Sequence, residues 1–365
     1  MKAMCLSVAV SVLLALHTLS VCGQSSDYSL NVLGPIENWK SDGDGTVDNS
    51  RYNGINNNGV ATFFYQSSPS TGVIWQNGSL SYVSSSPVRP VGISDNSIIA
   101  GNQGGAPYAA SSAVGSQNLI TTDPYSFGSV ATGISANGSL VSGYSWRHSS
   151  QMLPVPIVWN LNSSTYTTLS LSYPYVQGQA NSVNNSGVSV GFAYQNGGSP
   201  QIATMWNSDG GMSDLGMGNG SWATAVNNKG DIIGHSASGA FLLNGDGLVS
   251  LNNILGNSYY ALSLNDSDQV VGWSHDSGAA SDQHQNTGWL YDDGATINLN
   301  TVIPTGTGLW IDQAEAINNN GQILAIADDG HNNDYELLLT PVPEPTTLTL
   351  VLCGIGLFLP RLRKR

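Results

Sequence analysis

The chain has 365 residues, of which only 9% are charged, and its net charge is -14. Five of the ten Lys and Arg stand at the ends, at Lys2, Arg361, Arg363, Lys364 and Arg365, so the body between them is more acidic still. Such a surface repels nucleic acid and anionic lipid and has no basic patch to offset it, which excludes a nucleic-acid partner.

The N-terminus reads MKAMCLSVAVSVLLALHTLSVCGQSS. One Lys precedes an apolar run from about Leu6 to Leu19, and small residues follow at Cys22 and Gly23. This predicts a helical secretory signal peptide over residues 1–23, cut between Gly23 and Gln24. A retained anchor is disfavoured because the run is short for a bilayer. A lipoprotein signal is the second reading: LSVC at Leu19–Cys22 has the Leu and the Cys, but Val21 stands where a small residue is wanted. The cysteines are Cys5, Cys22 and Cys353, all in or beside terminal apolar segments. The body therefore has no intrachain disulfide, catalytic thiol or cysteine zinc site.

DGDGTVD at Asp42–Asp48 invites a calcium reading. Aligned to an EF-hand loop, it puts Lys40 and Arg51 where acidic ligands belong, so an acidic surface loop is expected instead.

From Ile55 onward one phrase recurs: an apolar residue, Asn or Ser, two polar residues, Gly, then an apolar strand. It reads INNNGVATFF from Ile55, GISDNSIIAG from Gly92, GISANGSLVSG from Gly133, VNNSGVSVG from Val183, VNNKGDIIG from Val226, LNDSDQVVG from Leu264 and INNNGQILA from Ile317. The spacing averages about 44 residues, the size of a four-stranded propeller blade. Each copy reads as a hairpin: the Asn or Ser opens a tight turn and the Gly takes the positive φ that closes it. A third strand follows, often with a Trp, at Trp75, Trp159, Trp206 and Trp289. These Trp are expected in the inter-blade core. A short fourth strand follows, as at Met212–Gly218. The second copy departs from the pattern, with Ser97 for the turn Gly and an unclear third strand. The last copy stops after DYELLLTP, Asp334–Pro341, one strand short. The orphan strand DYSLNVLG, Asp27–Gly34, is expected to supply it and clasp the ring. The expectation is an all-β, seven-bladed β-propeller over residues 24–341; the competing architectures are an open solenoid or a β-sandwich pair.

Within the array, His275, Asp276, Asp282 and His284 form the densest ligand-like cluster, HDSGAASDQH. Their spacing reads as a loop between strands of the sixth blade, so no metal is expected. His235 and Trp273 follow the repeat Gly at variable positions. GHSAS at Gly234 and GWSHD at Gly272 lack the closing Gly of a nucleophile elbow. No phosphate loop, dinucleotide fingerprint or H-E-x-x-H is present. A glycosidase pair of carboxylates assembled from separate blades stays open, because spacing in sequence does not reveal it.

The C-terminus reads PVPEPTTLTLVLCGIGLFLPRLRKR. The triplet Pro343, Glu344, Pro345 leads into an apolar run, Thr346–Leu359, and then the basic cluster Arg361, Arg363, Lys364, Arg365. The order is that of a stop-transfer helix whose basic end stays cytoplasmic. Residues 342–365 closely resemble a PEP-CTERM sorting signal. The resemblance implies an exosortase-type membrane peptidase as partner, transient inner-membrane anchoring, and delivery to the cell surface or extracellular matrix. The repeats also resemble the extracellular HAF type, most closely at Ala223–Gly234 with Gly239–Leu243, where Gly239 stands for the His of that pattern. That resemblance implies an exported repeat protein. The functional expectation is a non-enzymatic surface protein, without cofactor, associating with extracellular polysaccharide. A carbohydrate-active hydrolase or lyase on the same scaffold is the alternative, and a passive spacer the third reading.

Overall fold

The structure is a computed structural model that describes residues 27–36, 53–65, 71–83, 88–104, 106–111, 115–118, 126–147, 153–195, 200–252, 258–276, 284–331 and 333–342. The signal segment with Gly23 and Gln24, the DGDGTVD segment, Asp282, and the tail with Pro343, Glu344, Pro345 and the basic cluster lie outside the described residues. Among the described residues no helix is long and apolar enough to cross a membrane.

Seven four-stranded antiparallel sheets form a β-propeller. The inner strands are Gly54–Ile55, Val88–Ile93, Ser126–Ile134, Tyr175–Val183, Trp222–Val226, Ser258–Leu264 and Trp310–Ile317. Each ends on the apolar residue that leads a repeat phrase, so the phrase is the hairpin from inner to second strand. The second copy has its third strand at Ala106–Ser111. Ser97, at φ 61°, takes the left-handed turn conformation that Gly59 and Gly138 take in neighbouring copies at 72°.

Six of the inner strands carry a register shift, as between Ala223 and Ala225 or between Ala131 and Gly133. Such a bulge pushes a carbonyl toward the second strand. The repeat Gly leaves room for it. A Cβ on Gly143 would collide with the Val130 carbonyl and stand 2.7 Å from the Trp159 ring. Gly234 is squeezed in the same way between the Trp222 carbonyl and the Phe241 ring.

The ring closes as the phase of its ends requires. The N-terminal strand Tyr28–Ile36 pairs antiparallel with Asp334–Pro341, Tyr28 opposite Pro341 and Ile36 opposite Asp334, and completes blade 7. The core lies between blades. Trp159, Trp206 and Trp289 are fully buried there, and Trp75 is half-buried against the cluster of Phe63, Val73 and Leu338.

The Asn-rich turns gather at one end of the ring and join each blade to the next. The first Asn binds its own turn: Asn318 Oδ1 accepts from the N–H groups of Asn320 and Gln322, while its Nδ2 donates to the Asn56 carbonyl of blade 1 at 2.8 Å. A full circuit of seven links runs from blade to blade, with the donor the backbone N–H of the second turn residue in six blades and of the third, Asn137, in blade 3: Asn57 to Asp95 Oδ1, Asp95 to the Ala136 carbonyl, Asn137 to Asn185, Asn185 to Asn228, Asn228 to Asp266, Asp266 to Asn319, and Asn319 to Asn57. This ring borders an axial cavity of about 180 Å³.

Candidate active face

The opposite ends of the same hairpins carry different chemistry. In blade 5 Trp222 pairs with His235, and in blade 6 Tyr260 pairs with Trp273. The four rings stack in one ladder: Trp222 to His235 at 4.4 Å, His235 to Tyr260 at 5.3 Å, and Tyr260 to Trp273 at 4.5 Å between centroids. Burial lowers the pKa of His235, so its imidazole is neutral near neutral pH. Its Nδ1 has no hydrogen-bond partner among the described residues. That nitrogen is buried between the stacked Trp222 and Tyr260 rings.

On the other side of blade 6, His284 precedes the third strand Asn286–Asp292 and reaches blade 7. Trp310 opens the blade 7 inner strand opposite Asp328 and stacks on His284 at 4.6 Å with a 4° interplanar angle. The Trp310 Nε1–H donates to the Asn286 carbonyl at 2.9 Å, which fixes the indole. His284 Nδ1 lies 3.0 Å from Asp328 Oδ2. Donor atoms of His284, Asp312 and Asp328 all lie within 4.8 Å of one another. His275, which the sequence grouped with His284, instead meets Asn286 Oδ1 at 2.9 Å, so the structure separates the two histidines.

A second carboxyl pair lies at the seam of blades 7 and 1. Glu315 on the inner strand and Glu336 on the third strand share one donor, the Asn53 amide, whose Nδ2 donates to both carboxyls. Glu336 is 0% exposed. Burial raises Glu315 to about 7, against hydrogen bonds that lower it, and raises Glu336 well above the carboxylate range, with the Glu315 charge adding to the effect. Burial therefore favours the protonated form of the pair. Two carboxyls that share one amide donor leave no space for the sugar that a glycosidase pair must flank at about 5 Å or more. They belong to the seam rather than to a cleavage site.

Sequence reasoning missed Asp312, Asp328, Trp222, Trp310 and the Glu315–Glu336 pair. The available signal was that the repeats differ toward the far end of the second strand, where blade 5 carries His235, blade 6 carries Trp273 and blade 7, two residues further along, carries Asp328.

No known protein-family profile and no curated protein matches the chain. Among solved structures it is similar to an oligogalacturonate lyase from Vibrio parahaemolyticus, at TM-score 0.58 and 9% identity, over 86% of this chain and 94% of that one. It is also similar to an oligogalacturonate lyase in complex with manganese, at TM-score 0.51 and 10% identity, over 86% and 93%. An acylaminoacyl peptidase from Pyrococcus horikoshii matches at TM-score 0.53 and 10% identity, over 82% of this chain but 53% of that one. At these identities the likeness is one of fold. It points against the expectation of a non-enzymatic protein, since these three similar propellers are enzymes. The missing motifs therefore carry no weight against catalysis: a propeller assembles its chemistry from several blades, which no linear motif records.

Proposed function

We propose that the chain is an exported carbohydrate-active enzyme, a hydrolase or lyase, that acts on extracellular polysaccharide with the face formed by blades 5 to 7. The observation that carries this reading is the juxtaposition on one face of an aromatic ladder, Trp222 to Trp273, with the His284–Asp312–Asp328 cluster. Aromatic faces stack on sugar rings, and imidazole and carboxylate supply proton transfer. In a hydrolase the base would activate water. In a lyase it would remove the proton next to a uronate carboxylate, and the leaving sugar oxygen would take a proton in either case. The sorting tail supports the address: an exosortase-type peptidase would process the chain near Pro343, Glu344 and Pro345 after export. The fold shared with oligogalacturonate lyases supports the reaction class.

The test is incubation of the full-length chain with neutral and uronate-containing polysaccharides, counting new reducing ends and following the ultraviolet absorbance of unsaturated products. Reducing ends without absorbance indicate a hydrolase, and both together indicate a lyase. Neither, across both polysaccharide classes, overturns the reading. For the address, replacing Pro343, Glu344 and Pro345 with Ala should block processing; unchanged processing would remove the sorting role.

A further inference from the structure

We infer that His284, Asp312 and Asp328 form a divalent-cation site of the zinc class at the boundary of blades 6 and 7. Three features carry this. The donors are one imidazole and two carboxylates from three separate segments, and they converge within 4.8 Å. Imidazole with carboxylate suits divalent transition ions. The carboxylates are held in place: Asp312 and Asp328 are 8% and 9% exposed, and Asp328 Oδ1 accepts from the Gly330 N–H at 2.6 Å. The imidazole is held too, sandwiched against Trp310, whose own N–H is tied to Asn286. The stack fixes the plane of the ring and with it the direction of the nitrogen that an ion would take.

A divalent ion at about 2.0–2.2 Å from each donor would bring positive charge to two buried carboxyl groups. The ion takes one imidazole nitrogen and one oxygen from each carboxylate. Three protein ligands leave further positions open to water or substrate, as catalytic metal sites require. The use of the ion rests on the proposed function: in an acidic chain with few Lys and Arg, it is the group that would meet the carboxylate of an acidic sugar. Binding itself does not depend on that reading.

The experiment is titration of Zn2+ into the metal-stripped full-length chain by calorimetry, with H284A, D312N and H331A beside the wild type. His331 is an exposed histidine, 83% accessible, and controls for casual binding. The expected result is one equivalent bound by wild type and H331A, with H284A and D312N each at least about tenfold weaker. Absence of a stoichiometric site in the wild type, or equal affinity in all four proteins, overturns the site. Because a variant that fails to fold would mimic loss, Co2+ is added to wild type alone: visible ligand-field bands that Zn2+ abolishes are expected, and their absence also overturns the site. Reducing ends are counted in the same samples with and without chelator. Cleavage that survives chelation, with no stoichiometric binding, removes the metal and keeps the enzyme. Stoichiometric binding without cleavage keeps the metal and removes the enzyme.

Discussion

Asn318 and Asn319 are neighbours with different burdens. Asn318 is 3% exposed, and its amide closes its own turn and reaches the Asn56 carbonyl across the seam. Asn319 is exposed, and its N–H and Oδ1 are links in the circuit, where water can replace what is lost. A buried donor left unmatched costs about 1–3 kcal/mol, whereas an exposed one costs little. Asn318→Ala should therefore lower the unfolding free energy by about 2–3 kcal/mol and Asn319→Ala by under about 1 kcal/mol. Urea unfolding of the two variants checks the order; equal losses would mean that the turn, rather than the inter-blade bond, carries the stability. The Glu315–Glu336 pair makes a prediction of the opposite kind. Both carboxyls are raised in the folded state, so the folded chain holds protons that the unfolded chain releases above its ordinary value of 4.5. Stability is then full below about pH 4.5 and declines as pH rises through the Glu315 value of about 7. Glu336→Gln removes one titrating partner and should flatten that decline. The wild-type Tm should fall by at least about 2–4 °C between pH 5 and pH 8, and the variant's by less. A Tm that rises over this range would refute the raised carboxyl values.

At the scale of the element, the strand Tyr28–Ile36 shows what the sequence could and could not disclose. Its place in blade 7 was legible, because the last repeat lacks one strand and this segment has the alternation of one. The seven hairpins were equally legible, since each phrase ends an inner strand and opens a turn. Turn chemistry was read more narrowly than the structure uses it: Ser97 and Asp268 reach φ 61° and 62° where the phrase prefers Gly. The carboxyl pair was not legible, because Glu315 and Glu336 lie 21 residues apart on strands that are not neighbours. Nor was the meeting of His284 with Asp328, which crosses a blade boundary. Periodicity reports hydrogen-bonded neighbours within a blade, while chemistry between blades depends on where the curve of the ring brings them. The clasp itself is testable. Leu33 is 6% exposed and packs with Phe63 of blade 1 and Leu338 of blade 7, so it ties the added strand to both sides of the seam. Leu33→Ala should cost about 2–4 kcal/mol. Limited proteolysis should then cut first within residues 27–36; cleavage that begins elsewhere would mean the ring is closed by other contacts.

The whole molecule divides its labour between its two ends. At one end the repeat residues bond blade to blade, and their polar groups are largely spent on one another: Asp266, for example, accepts from the Asn228 backbone and from the Asn228 and Asn319 amides, which hold its carboxyl below the usual range although burial works the other way. An end whose hydrogen bonds are committed to closure has little left with which to bind a ligand. At the other end the strands have left the repeat pattern, and each of blades 5 to 7 carries its own side chains: half-buried Trp222 and His235, half-buried Tyr260 over buried Trp273, and Trp310 with the His–Asp–Asp cluster, whose carboxyls are buried. Function on a closed ring is free to vary only where closure does not depend on the residue. This asymmetry predicts how polysaccharide cleavage responds to substitution. On the proposed reading Trp222, which is half-buried, is a sugar platform, so Trp222→Ala should raise KM about tenfold with kcat little changed, the loss of one aromatic contact made equally in ground and transition states. Asn58→Ala, on the exposed Asn-rich end, should leave both constants unchanged. Steady-state kinetics on the two variants decides the matter, for a larger effect at Asn58 than at Trp222 would move the site to the axial cavity and leave the aromatic ladder as packing between blades 5 and 6.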